Sequence, residues 1–281
     1  MIAIGVVGIS LSSIFVKLST APSAVTALFR LAWTVLLMTP SVFLKKEIRS
    51  ELFCVPKRSL IMSVLSGVFL AIHFALWFES LVHTSVASST TLVCTEVIWV
   101  SLGYCIFLKG KLSLKAVIAI TAAFSGSTVI AFADSANGAH LYGDMLSLLS
   151  AVAVAVYMLI GNVVRKNTST SVYTYIVYLS CALSLGIICL ATKTRVFGYG
   201  IWSVIVGLLL AVFSTILGHS IFSWCLKYFS PSFVSASKLL EPVVAALIAI
   251  PVFAEYPKPL TIVGGVIILL SVWYYSTLEK S

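Results

Sequence analysis

Two glutamates lie inside long apolar stretches of the chain, where ionisable side chains are uncommon. Glu96 and Glu241 are 145 residues apart, and each stands near the middle of its stretch. Because a charge in hydrocarbon costs several kilocalories per mole on most scales, such residues are candidates for function. We expect one or both to line a cavity, where a carboxyl group would bind a cationic group or carry a proton. The alternative is a structural role, in which Glu241 bonds a neighbouring helix or the backbone freed by Pro242.

Two cationic side chains also lie within apolar stretches. Lys238 precedes Glu241 by three residues, so on a helix it could neutralise that carboxylate. We favour the alternative, in which its amine extends to the cytoplasmic surface. Arg30 lies near the outer end of the second stretch, where its guanidinium could clamp a carboxylate or a phosphate through two hydrogen bonds. Structural pairing with a carboxylate or with carbonyl groups is the alternative for Arg30.

Histidine and aromatic side chains complete the candidates for substrate binding or gating. His73 and His219 are expected in opposite halves of the membrane, where they could gate opposite mouths of a cavity or relay protons. The alternative for each is an ordinary hydrogen bond between helices. Aromatic rings could line a cavity through stacking or cation–π contacts, although interface anchoring and helix packing are their commoner uses. The aromatic candidates are Trp77, Trp99, Tyr157 and Tyr178.

The composition places all these residues in a membrane protein. The chain has 281 residues, of which 60% are apolar and 10% are charged, whereas soluble domains are roughly 45–50% apolar and about 25% charged. A spanning helix needs roughly 20 apolar residues, so the apolar runs predict an all-α membrane protein with ten transmembrane helices. The predicted spans are 2–18, 24–44, 59–79, 85–107, 114–132, 142–162, 173–192, 199–225, 232–253 and 259–277.

The positive charges predict the orientation of these spans. Twelve of the 18 Lys and Arg residues fall in links on one side of the membrane and four on the other, and the more positive side is expected in the cytoplasm. With ten spans, both termini are then cytoplasmic. The first apolar run begins at Met1 without a basic leader or a cleavage site, which predicts a retained helix. The expected location is a bacterial cytoplasmic (inner) membrane.

The same sequence disfavours several classes of function. The net charge of +9 could indicate nucleic-acid binding, but the basic residues lie mostly in short links and form no basic face, so no nucleic-acid partner is expected. The six cysteines show no CxxC spacing and the four histidines no metal-ligand spacing, so we expect no metal and no cofactor. No nucleophile–base pair and no phosphate-binding loop is recognisable, which argues against an enzyme.

An offset of 145 residues superimposes the two halves of the chain. It pairs Glu96 with Glu241, Ser85 with Ser230, and the fifth span with the tenth. Residues 1–135 and 140–281 are therefore expected to form two repeats of five helices each. Because five is odd, the second repeat must enter the membrane in the opposite direction to the first. Inverted repeats of this kind build alternating-access carriers, with a substrate site near the midplane of the bilayer.

Short polar and small-residue motifs recur along the chain. They are Ser12-Ser13-Ile14-Phe15-Val16 with Lys17, Ala27-Leu28-Phe29-Arg30, Thr84-Ser85-Val86-Ala87-Ser88-Ser89 before Glu96, Gly110-Lys111-Leu112-Ser113, Gly143-Asp144-Met145-Leu146, and Glu241-Pro242 followed by Glu255. This pattern resembles the EamA family of the drug/metabolite transporter superfamily over essentially the whole chain. Val97 and Gly110 depart from it, since the family usually has proline and glutamate there. The resemblance implies ten helices in two inverted repeats, a central cavity, and movement of small organic metabolites, often outward.

The expected function is secondary-active transport, as export or exchange of small organic metabolites by alternating access, with amino acids or related compounds as the leading substrate class. An exchanger of nucleotide sugars or sugar phosphates is the alternative within transport. A non-transporting membrane subunit or an intramembrane enzyme is the alternative from another class. The expected partners are a small-molecule substrate, membrane lipid and coupled protons, and the expected assembly is a monomer or a homodimer.

Overall fold

The computed structural model describes residues 1–84, 86–134, 141–253 and 259–279, which form a bundle of helices without any strand. Ser85 and Glu255, which belong to the sequence motifs, lie outside these described residues. The helices are α1 (Ile2–Lys17), α2 (Ser23–Leu44), α3 (Lys46–Phe53), α4 (Lys57–His83), α5 (Val86–Val93), α6 (Glu96–Phe107), α7 (Leu114–Asp134), α8 (Leu141–Val164), α9 (Thr170–Ala191), α10 (Gly200–Leu209), a π-helix (Leu210–His219), α11 (Ser220–Cys225), α12 (Pro231–Lys238), α13 (Glu241–Phe253) and α14 (Pro259–Glu279).

The lengths and the hydropathy of these helices make the chain an integral membrane protein. Within the described ranges, six segments are long and apolar enough to cross a membrane: Ser23–Leu44, Lys57–His83, Tyr142–Val164, Thr170–Ala191, Gly200–Cys225 and Pro231–Val252. Shorter apolar helices occupy Ile2–Lys17, Glu96–Phe107, Leu114–Gly126 and Ile262–Tyr275. Each of the ten predicted spans thus contains an apolar helical segment, and six of these segments meet the length for crossing.

Local sequence explains where several helices begin. Pro22 and Pro56 directly precede α2 and α4 in an extended conformation, as expected for a residue that fixes φ and donates no hydrogen bond. Ser169 and Ser230 precede α9 and α12, and their hydroxyls accept hydrogen bonds from the backbone N–H three residues later, at 3.3 and 3.2 Å. The predicted breaks before the sixth and tenth spans fall largely on residues 135–140 and 254–258, outside the described residues.

Two predicted spans are broken, which corrects the expectation of continuous helices. The span predicted over 85–107 consists of α5 and α6, which are separated by a turn at residues 94–95. The span predicted over 232–253 consists of α12 and α13, which are separated by a turn at residues 239–240. The two turns are 145 residues apart, so the broken helices occupy equivalent positions in the two halves of the sequence. Irregular backbone at membrane depth is tolerated where protein or a cavity covers it.

Two further departures concern the segments between and within spans. The charged link after α2 contains a two-turn helix, α3, none of whose residues is buried. The span predicted over 199–225 is one continuous helix, but its middle ten residues, Leu210–His219, are π-helical. π-Helical turns are rare and frequently mark functional sites.

Helices of each half of the chain pack mainly on helices of the other half. The first long helix of the second half, α8, packs on α4, while α1 packs on the π-helix and α11, which belong to the equivalent third span of the second half. In the same way α6 packs on α8, and α13 packs on α1. The pairs α2 and α9, and α7 and α14, connect equivalent elements directly, and α6 packs on α12, which belongs to the equivalent span. The two halves therefore interlock instead of packing as separate bundles.

A close approach of backbones holds α1 against the π-helix. A Cβ atom built on Gly8 would lie 2.5 Å from the carbonyl oxygen of Phe213 and 3.0 Å from the backbone nitrogen of Gly218. Only a residue without a side chain fits there, which is the packing expected of small residues between membrane helices. Gly126 and Gly264 make a similar approach between α7 and α14, where an added Cβ on Gly126 would lie 2.7 Å from the Gly264 carbonyl oxygen.

We predict that Gly8→Ala destabilises the protein, because the added methyl group must push two backbones apart. Overpacking of this kind costs about 1–3 kcal/mol. Gly186→Ala in α9 is the matched control, since nothing lies within 4 Å of its built Cβ, and alanine is the better helix former. Thermal unfolding of the purified variants, followed by tryptophan fluorescence, should show a lower midpoint for Gly8→Ala only. Equal midpoints for the two variants would contradict the close contact.

Candidate functional site

A small cavity, which we call the charged cavity, lies between helices from both halves of the chain. Its volume is about 30 Å³, which is room for about two water molecules. The first half contributes α1, α4, the end of α5 with the following turn, and α6, and the second half contributes the π-helix, α12 and α13. The polar and aromatic residues of its wall are Ser12, His73, Trp77, Glu96, His219, Lys238 and Glu241.

The broken helices place both glutamates at the charged cavity. Glu96 is the first residue of α6 and Glu241 is the first residue of α13, so each carboxylate follows directly on a helix break. The N-terminal end of a helix carries a partial positive charge, which stabilises a carboxylate in its first turn. The glutamates are 5% and 7% exposed, so both are buried.

Lys238 forms a buried ion pair with Glu96. Its Nζ donates to Glu96 Oε1 at 2.8 Å and to Oε2 at 3.1 Å, and it lies 3.7 Å from the sulfur of Met158. The prediction that this amine extends to the cytoplasmic surface is therefore wrong, and its bonding partner is not Glu241 either. The cause is the helix break: Lys238 is the last residue of α12, which packs on α6, so its side chain reaches across to the other half.

Glu241 is buried without a direct partner for its carboxylate. Among the described residues, no side chain or backbone group donates a hydrogen bond to it, although the Ser10 hydroxyl donates to its backbone carbonyl at 3.3 Å. Lys238, Glu96 and Arg30 lie near enough to act on its charge. The two glutamates, equivalent by sequence offset, thus have different surroundings.

Arg30 is fully buried and bonds hydroxyl groups instead of a carboxylate or a carbonyl. Its Nε donates to Thr215 Oγ1 at 2.7 Å and its Nη1 to Ser12 Oγ at 3.1 Å. The guanidinium carbon lies 4.2 Å from the centre of the Phe74 ring, within the range of a cation–π contact. Its Nη2 has no hydrogen-bond partner among the described residues, so part of the donor fork is unused.

The two histidines lie beside each other at the charged cavity. Their ring centres are 6.4 Å apart and both line the one cavity, so they do not stand at opposite mouths of it. His73 Nδ1 bonds the Ser150 hydroxyl at 2.8 Å, which matches the alternative of a hydrogen bond between helices, and its ring stacks on Trp77.

The aromatic candidates divide into three groups. Trp77 lines the charged cavity, and its Nε1 has no hydrogen-bond partner among the described residues. Tyr157 and Tyr178 are buried in helix contacts, where their hydroxyls bond Ser223 at 2.7 Å and Ser220 at 3.0 Å. Trp99 is 42% exposed and is not among the residues that line the cavity.

Sequence reasoning did not single out several residues of this site. Thr215 and Ser150 bond Arg30 and His73, and Cys94 forms part of the cavity wall. Small hydroxyl residues are frequent in membrane helices, so type alone does not mark these positions. Partners such as Thr215 and Ser150 can be expected only once Arg30 and His73 are known to be buried, because buried donors and acceptors require hydrogen-bond partners on neighbouring helices.

Comparison with known proteins identifies the class. Residues 141–277 match the EamA-like transporter family, which confirms for the second half of the chain the resemblance noted in the sequence. A solved structure, described only as a crystal structure of a protein, has the same overall fold with a TM-score of 0.78 at 15% identity, and 99% of this chain and 96% of that chain are covered. No curated protein matches the sequence.

We predict that breaking the Lys238–Glu96 pair from one side is costly. Lys238→Met leaves a buried carboxylate without its partner, which typically costs about 3–5 kcal/mol. The double variant Lys238→Met/Glu96→Gln removes both charges and should recover most of this loss. The free energies of unfolding of the single and double variants, combined in a double-mutant cycle, measure the coupling.

The exposed ion pair of Glu79 and His83 provides the control for this cycle. Its side chains are 44% and 42% exposed, so Glu79→Gln should cost less than about 1 kcal/mol. Costs of Lys238→Met and Glu96→Gln that simply add in the double variant would show that the two charges do not interact.

Proposed function

We propose that the chain is a secondary-active carrier that exports or exchanges small organic metabolites by alternating access between its two halves. The observation that carries this proposal is the charged cavity, whose buried ionisable groups come from both halves of a chain with an EamA-like second half. Ionisable residues inside a membrane bundle mark substrate or ion pathways by default. No catalytic role is assigned to any of these residues.

Inverted repeats over residues 1–135 and 140–281 would provide the moving parts. The equivalent helix breaks, 145 residues apart, and the exchange of helix contacts between the halves support a pseudo-two-fold relation. Carriers of this kind place discontinuous helices at a midplane site. With five spans in each repeat and the more positive links in the cytoplasm, both termini would face the cytoplasm, and a bacterial inner membrane is the proposed location.

A metabolite cannot fit in the cavity as it stands. A volume of about 30 Å³ is far below the roughly 300–1,000 Å³ of ordinary ligand sites. Binding of a metabolite would therefore require the cavity walls to move apart. The contacts of α1 with the π-helix and of α4 with α8 join the halves, so their loosening is the movement that alternating access would use.

The unused bonding capacity indicates the substrate class. Arg30 has a free N–H group, and Glu241 has a carboxylate without a hydrogen-bond donor among the described residues. Arg30 lies behind the cavity wall, where it bonds Ser12. A zwitterion whose carboxylate reached Arg30 and whose ammonium group reached Glu241 would complement both. Lys238 is already neutralised by Glu96. Amino acids or related compounds are therefore the leading substrates.

Two other functions compete with this proposal. An exchanger of nucleotide sugars or sugar phosphates would need several free cationic groups. Lys238 lines the cavity but is paired with Glu96, and Arg30, which bonds Ser12 of the wall, lacks an ionic partner. A non-transporting subunit or an intramembrane enzyme would move no metabolite in proteoliposomes. Proteoliposomes loaded with an amino acid should release it, whereas loaded vesicles without the protein should not. This release distinguishes a carrier from a non-transporting subunit or an intramembrane enzyme.

We predict that Arg30→Gln weakens binding of carboxylate substrates by about 10- to 100-fold, since a hydrogen bond to a charged group contributes about 1.5–3 kcal/mol. A thermal-stability screen against amino acids and metabolites identifies the ligand, because a ligand at 100 times its Kd stabilises by about 2.7 kcal/mol. The ligand's amide and its decarboxylated amine then test the carboxylate. Trp99→Phe, outside the cavity, should bind as the unmodified protein does. If Arg30 binds the carboxylate, the unmodified protein prefers the acid to its amide and Arg30→Gln does not. An unmodified protein that binds the acid and the amide equally well would contradict the role of Arg30.

A second prediction concerns coupled protons. If Glu241 or Glu96 carries the coupled proton, Glu241→Gln or Glu96→Gln should abolish the dependence of uptake on a pH gradient while counterflow exchange of substrate persists. The reason is that an amide cannot take up or release a proton in this range. Uptake into proteoliposomes with and without an imposed gradient provides the measurement. Unchanged gradient dependence in both variants would exclude these groups as proton carriers.

A further inference from the structure

The link between α2 and α4 carries an unusual concentration of positive charge. Within residues 45–58, which we call the basic segment, five side chains are cationic: Lys45, Lys46, Arg49, Lys57 and Arg58. All five are exposed. Because the segment joins the ends of two helices long enough to cross a membrane, it must lie at a membrane surface.

The helix in this segment, α3, has two different faces. Ile48, Glu51 and Leu52 are half-buried against the bundle, where α3 contacts α2 and α9. The opposite face carries Lys46, Arg49 and Phe53, at spacings of three and four residues, which places them in one row. Phe53 is 75% exposed, although it is a large apolar side chain.

The negative charges of the segment do not neutralise this row. Glu51 Oε1 accepts a hydrogen bond from the backbone N–H of Ser169 at 2.6 Å, so it is directed toward the start of α9. Arg49 donates to the Phe43 carbonyl at 3.4 Å. Among the described residues, none of the five cations forms an ion pair with a carboxylate.

We propose that the basic segment is a binding site for the phosphate headgroups of anionic phospholipids in the surrounding membrane. Each lysine or arginine near a bilayer surface raises the affinity for anionic lipid by about fivefold. The apolar side chains favour a lipid over a soluble anion, because Phe53 in the cationic row and Leu44, which is 82% exposed, can enter the boundary between headgroups and acyl chains. A dissolved phosphate would leave both in water.

The site would also connect the lipid to the bundle. The Glu51 contact joins α3, in the first half of the chain, to Ser169, the residue that caps α9 in the second half. A lipid bound to α3 would therefore also stabilise the contact between Glu51 and Ser169, which joins the two halves. Anionic lipid should stabilise the folded protein and not merely coat it.

The test compares purified full-length protein in mixed micelles with added phosphatidylglycerol or phosphatidylcholine, followed by thermal unfolding. We expect phosphatidylglycerol to raise the unfolding midpoint and phosphatidylcholine to do so much less. The triple variant Lys45→Gln/Lys46→Gln/Arg49→Gln should lose this preference, with an apparent affinity for phosphatidylglycerol at least tenfold lower. Phe53→Ser should reduce the affinity while leaving its salt dependence in place.

The matched control removes three equally exposed lysines from another link, in the variant Lys109→Gln/Lys111→Gln/Lys115→Gln. This variant carries the same change in net charge and should keep the preference for phosphatidylglycerol. Equal loss in both triple variants, or retention in both, would overturn a site at the basic segment. The same stabilisation by inorganic phosphate alone would show a site for soluble anions and would also overturn the lipid proposal. Unfolding midpoints in phosphatidylcholine verify that each variant is folded.

Discussion

Burying charge among apolar helices is the constraint on which the rest of this structure depends. Removing an ion from water costs several kilocalories per mole, and the cost is offset only by a close counter-charge and well-placed hydrogen bonds. Glu96 meets this requirement through Lys238, whereas Arg30 has two hydroxyls and an aromatic ring beside it and no counter-charge in direct contact among the described residues. The turns at 94–95 and 239–240 and the π-helix all adjoin the charged cavity, so regular helix is abandoned where the buried charges need partners.

The cations distinguish two halves that are otherwise similar. The offset that pairs Glu96 with Glu241 pairs Lys238 with Val93 and Arg30 with Tyr175. Both carboxylates therefore have an equivalent, whereas neither cation has one. Because the single lysine can neutralise only one glutamate and lies against Glu96, the equivalent Glu241 is left with its carboxylate unbonded within the described residues. The two glutamates, paired by the sequence offset, therefore have different surroundings in the structure.

The sequence predicted the existence of the spans and the residues at the site better than it predicted which faces meet. Apolar length and proline positions locate the starts of α2 and α4, because these depend on neighbouring residues alone. The break before Glu241 has a local signal in Pro242, which lacks an N–H and disfavours helix before it. The first half has Val97 at this position, so nothing local announces the break before Glu96. The partner of Lys238 and the adjacency of His73 and His219 depend on how distant helices pack, and a single sequence does not encode that directly.

In the proposed carrier, the Lys238–Glu96 pair would also link the chemistry of the cavity to its opening. Lys238 ends α12 in one half and Glu96 begins α6 in the other, so the bond spans a boundary that alternating access would open. Separation of these helices without replacement of the bond would leave two charges unpaired in a poorly hydrated space. Water entering from one side, or a substrate with its own charged groups, removes that penalty. In the proposed carrier an uncharged solute would offer no such compensation, and the closed form would stay the more stable one in its presence.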